Sequence, residues 1–72
     1  MKSSVVIASM PEREKLVAEL YWDDVMWAEL SNETGELKLR IWGKESGDPW
    51  NVPFQEVLGA LTEAKKKLAG DK

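Results

Sequence analysis

Two stretches constrain this chain more than any other feature: Val25-Met26-Trp27-Ala28-Glu29-Leu30 and Leu37-Lys38-Leu39-Arg40-Ile41-Trp42. Side-chain character alternates along both, which is the period of a strand with one buried face. Between them lies Asn32-Glu33-Thr34-Gly35, with turn chemistry at both ends. Folded across those four residues, Leu30 faces Leu37, Ala28 faces Leu39 and Met26 faces Ile41, an all-aliphatic side. On the reverse side Glu29 meets Lys38, Trp27 meets Arg40 and Val25 meets Trp42. These are an ion pair, a cation–π pair and an apolar pair, each worth about 0.2–1 kcal/mol. A slip of one residue would scramble both faces. The expectation is a greasy inner surface and an indole-bearing outer one.

A third strand precedes this pair. From Glu14 to Trp22, Leu16, Ala18, Leu20 and Trp22 take one side while Val17, Glu19 and Tyr21 take the other. Asp23-Asp24 forms the turn, since Asp tolerates left-handed backbone. A two-residue turn sets Leu20 opposite Trp27 and Tyr21 opposite Met26. A three-residue loop or a bulge sets Leu20 opposite Met26, which keeps Glu19 off the aliphatic face, and this second arrangement is preferred. Residues 1–11 read as either a strand or a docking arm around Val5-Val6-Ile7, with Met10-Pro11 as the break.

After the loop Gly43 to Asn51, a helix is predicted from Pro53 to Ala69. Phe54, Val57, Leu58, Leu61, Ala64 and Leu68 recur at helical spacing. Pro53 suits the first turn, Glu56 and Lys65-Lys66-Lys67 complement the helix dipole, and Gly70 supplies the stop. Gly59 falls on the polar face and costs about 1 kcal/mol of helix propensity. Trp50 reads as an apolar staple at the helix entry. The predicted fold is α+β: a three-stranded antiparallel meander on one C-terminal helix, with residues 1–11 as an added strand or an arm, the whole forming one small domain.

With 72 residues and no cysteine or histidine, the chain has neither a disulfide nor a zinc site of the usual kind to supplement a small core. Oligomerisation is the common remaining route to stability. The net charge of −3 argues against a nucleic-acid surface. No stretch approaches a membrane span, and the Val5–Ala8 run is too short for a signal-peptide core, so a cytoplasmic protein is expected.

Nothing in the sequence assembles a catalytic centre. The commonest general base and the best nucleophile are absent, the five serines have no base near them in any known pattern, and no glycine-rich phosphate loop occurs. Asp23-Asp24, Glu12 and Glu14 read as solvated charge rather than acid–base or cation sites, and Lys65–Lys67 as a solvated helix end. No enzyme, cofactor or metal is expected.

The aromatic face is the candidate site: Tyr21, Trp27 and Trp42 flanked by Lys38 and Arg40 (residue types enriched at interface hot spots). Three covers suit it: the N-terminal segment of the same chain, a second copy in a homodimer, or another macromolecule. The leading expectation is a non-enzymatic protein-interaction or homodimerising module. The alternative is nucleic acid. Over residues 14–69 the order of three strands then a helix resembles small DNA-binding domains of the integrase-arm type and their plant counterparts, although no sequence motif of theirs is present. That resemblance implies a sheet in the major groove read by Lys38, Arg40 and Trp42, but Glu19, Glu29 and Glu36 border the face.

Overall fold

The computed structural model describes residues 2–9, 16–32 and 35–70. Four antiparallel strands form one sheet in chain order: β1 (Ser3–Ala8), β2 (Val17–Trp22), β3 (Val25–Ser31) and β4 (Lys38–Ile41). A single helix, α1 (Phe54–Leu68), follows. This is the expected α+β architecture, and the N-terminal segment takes the strand alternative. The Met10-Pro11 break, the strand start at Glu14 and the middle of the Asn32–Gly35 loop lie outside the described residues.

The β2–β3 turn is the two-residue Asp23-Asp24, with Trp22 opposite Val25. Asp23 adopts φ 56°, the left-handed region, and its carboxylate accepts the Lys2 backbone N–H at 2.9 Å. One step on, the register breaks between Leu20 and Tyr21: Tyr21 pairs with Met26 but Leu20 pairs with Ala28. Trp27 is therefore the extra residue of a β-bulge. The two-residue turn and its Tyr21–Met26 pair are as the first arrangement has them, but neither Leu20–Trp27 nor the preferred Leu20–Met26 pair forms. The bulge does keep Glu19 off the aliphatic face, but it does so by setting Leu20 against Ala28 rather than Met26.

The β3–β4 register also differs from expectation. Leu30 pairs with Leu39, Ala28 with Ile41, Glu29 with Arg40 and Ser31 with Lys38. Every partner on β4 lies two residues later than predicted. A two-residue slide leaves each side chain on its own face, so alternation has no power against it. The connection then runs from Asn32 to Leu37 rather than over four residues.

One side of the sheet carries Val5, Ala18, Leu20, Trp22, Ala28 and Leu30, which pack with Ala60 and Ala64 of α1 into the core. The helix seats on two alanines because a small side chain lets a rod approach a sheet closely. Val57, Leu61 and Leu68 are half-buried beside them, while Phe54 and Leu58, expected in the apolar stripe, are exposed. Pro53 caps the helix start in extended backbone, and Ala69 with left-handed Gly70 ends it.

Candidate functional site: the uncovered β4 flank

Of the predicted partner-binding residues, Tyr21, Lys38 and Arg40 do lie on the outer side of the sheet, in register with Met26, Ser31 and Glu29 respectively. They form no single patch. Tyr21 stands at the turn end of β2 and Lys38 at the far end of β4, about 20 Å apart by strand spacing and rise. The Tyr21 hydroxyl donates to Glu19 at 3.0 Å. That bond, with partial burial and the nearby negative charge, holds its pKa above the ordinary 10.0. Glu29, only 5% exposed, lies between Glu19 and Arg40 in one cross-strand row.

Trp27 is not on the outer face. The bulge turns its ring into the core, where it is 6% exposed and stacks on Trp22 with centroids 5.1 Å apart and planes 8° from parallel. Neither indole N–H finds a hydrogen-bond partner among the described residues. Trp27 therefore has no surface for a partner, and the Trp27–Arg40 pair does not form. Trp42 remains partly exposed. Its backbone N–H donates to the Trp27 carbonyl at 2.9 Å, and its own carbonyl accepts the Trp50 indole N–H at 3.2 Å. The two rings border a hollow of about 650 Å³ with Trp22, Val25, Met26 and Lys44. Lys44 Nζ sits 5.1 Å above the Trp50 ring, so a cation of the same chain already occupies that aromatic face. Trp50 packs at the helix entry, as the staple reading expected.

The surface that stands out lies elsewhere. Helix α1 packs on β1, β2 and β3 and does not reach β4. Dimensions limit the cover: strands lie about 4.8 Å apart, and a helix with its side chains is about 10–12 Å wide. One helix spans two to three strands of a four-stranded sheet. Leu39 and Ile41 point to the helix side, in register with Leu30 and Ala28, yet Ile41 is 62% exposed. Leu37 and Leu39 are exposed beside it.

The helix faces this gap with apolar residues of its own. Lys67 Nζ reaches the Val5 carbonyl at 3.4 Å, which fixes one flank of α1 over β1. At 100° per residue, Phe54, Leu61 and Leu68 then lie on the opposite flank, with Leu58 at its upper rim. Leu68, Lys65 and Ala69 share a hollow of about 240 Å³ with Leu37 and Asn32. Phe54 is 72% exposed. Taking about 200 Å² for a fully exposed large residue, the four exposed residues Leu37, Leu39, Ile41 and Phe54 leave about 400 Å² of largely apolar surface open. That is the size of the largest patch on a typical monomer, and such patches are often functional.

The β4 edge adds backbone chemistry. The Trp42-to-Trp27 bond makes that pair a hydrogen-bonded one. By ladder alternation Arg40 and Lys38 also bond inward to β3. The N–H and C=O groups of Leu39 and Ile41 consequently point outward. At the other edge of the sheet the outward Val5 carbonyl is already taken by Lys67.

Among the described residues, no cluster of three acidic groups stands ready for a metal ion, and no helix is long and apolar enough to cross a membrane. Compared with known protein families, curated proteins and solved structures, the chain matches none.

Proposed function

We propose that this chain is a small non-enzymatic protein-interaction module that takes its partner along the β4 flank, not on the outer face of the sheet. The supporting observation is that α1 stops short of β4 and leaves Leu39 and Ile41 uncovered beside an apolar helix flank. Burying about 400 Å² on each side would give a two-sided interface of about 800 Å², in the range of a weak or transient complex. Nucleic acid is a poorer match. The outer face carries Glu19 and Glu29 in the same row as Arg40, and phosphate contact needs concentrated positive charge.

Site-specific photo-crosslinking in cells tests the location. A crosslinking residue at position 41 is expected to give a discrete adduct that Leu39→Lys abolishes. The same residue at position 6, on the outer side of β1, is expected to give none. An adduct at position 6 and not at 41 would move the interface to the outer face and sink the proposal. A self-adduct at position 41 identifies a homodimer on the same flank.

A further inference from the structure

We infer that the occupant of the β4 flank is an extended partner segment in which apolar residues alternate with acidic ones, added as a fifth strand; this rests on the interface proposed above. An added strand must satisfy the outward backbone groups of Leu39 and Ile41. Its side chains then alternate between two environments. On the helix side they lie next to Leu39 and Ile41, in the trough bounded by Phe54 and Leu61. On the other side they lie next to Lys38 and Arg40, both exposed and in no ion pair among the described residues. The first environment selects apolar residues and the second selects carboxylates.

The charge pattern also argues against a second copy of β4 as that strand. Cross-strand partners share a face, so only even slides are allowed. Pairing Leu39 with its own copy sets Lys38 against Arg40. Pairing Leu39 with Ile41 sets Arg40 against Arg40. Both registers oppose like charges, which destabilises a strand pair, and pairing Ile41 with its own copy leaves no other β4 residue paired, because the strand ends there. Lysine on a short edge strand is a common guard against self-pairing, and a complementary acidic strand turns that guard into a selectivity element.

The test uses the full chain and three nine-residue peptides, alternating Val–Glu, Val–Ser and Val–Lys, followed by amide exchange and chemical-shift titration. The Val–Glu peptide is expected to bind at least tenfold more tightly than the other two in low salt and to slow exchange at Leu39 and Ile41. Its advantage shrinks in 0.5 M salt. The Lys38→Glu, Arg40→Glu double variant should transfer the preference to Val–Lys. If Val–Ser binds as well as Val–Glu, the acidic chemistry is wrong while strand docking on β4 stands. If none of the peptides slows those two amides, both this inference and the interface it rests on fall. Concentration-dependent protection of Leu39 and Ile41 without any peptide would assign the flank to a second copy and overturn the inference.

Discussion

Replacing Trp27 by alanine separates the bulged structure most sharply from a register that sets Leu20 opposite Met26. In that alternative the ring would sit on the outer face, and its removal would change stability by about 0.5 kcal/mol or less. Here the ring is buried and stacked on Trp22, so Trp27→Ala removes a large core side chain and leaves a cavity, at a cost of about 3–5 kcal/mol. A domain of 72 residues has about 4–11 kcal/mol in total, so much of its stability would go. For this size each 1 kcal/mol lowers Tm by about 4–8 °C, which places the expected loss at about 12–40 °C. Trp27→Phe should cost less than half as much, because a stacked ring remains and an indole N–H with no hydrogen-bond partner is removed. Trp42→Ala, at a partly exposed ring, should cost about 1 kcal/mol. Urea unfolding followed by circular dichroism, with the m-value checked for constancy, gives all three numbers. A Trp27→Ala cost equal to that of Trp42→Ala would refute the buried placement.

Two further outcomes follow from local chemistry. The chain has one tyrosine, so ultraviolet titration of its phenolate should give a midpoint above 10.0, moved down by Glu19→Gln. Because the folded form holds the proton more tightly, this contribution to stability is complete below pH 10 and is lost as pH rises through the folded pKa; Tyr21→Phe should remove that part of the alkaline slope. A Cβ added at Gly59 meets no atom within 4 Å, so Gly59→Ala should raise stability by about 1 kcal/mol in thermal unfolding, and a loss of stability would show hidden crowding there.

Much of the fold is legible in the sequence because alternation reports faces. Ala18, Leu20 and Trp22 face the helix, and Lys38 and Arg40 face away, as period two requires. Register is not legible to the same degree, because the two-residue slide of β4 moves no side chain across the sheet. The bulge hides for a different reason. Trp27 carries the same residue type whether it points in or out, and the signal that distinguishes the two is the cost of placing Glu19 or Glu29 against the helix. Ala60 is missed because alanine is a weak apolar signal, although it sits at the centre of the helix contact. Width alone says that one helix leaves part of a four-stranded sheet open, but which edge stays open is set by the packing of α1 on β1, β2 and β3.

Amide exchange along β4 in the isolated chain tests the open flank most directly. Lys38, Arg40 and Trp42 should exchange slowly, because their N–H groups point to β3, while Leu39 and Ile41 exchange at least tenfold faster, near the rate of unstructured backbone. Uniform slow exchange through residues 38–42 at every protein concentration would mean that this edge is already covered within the chain.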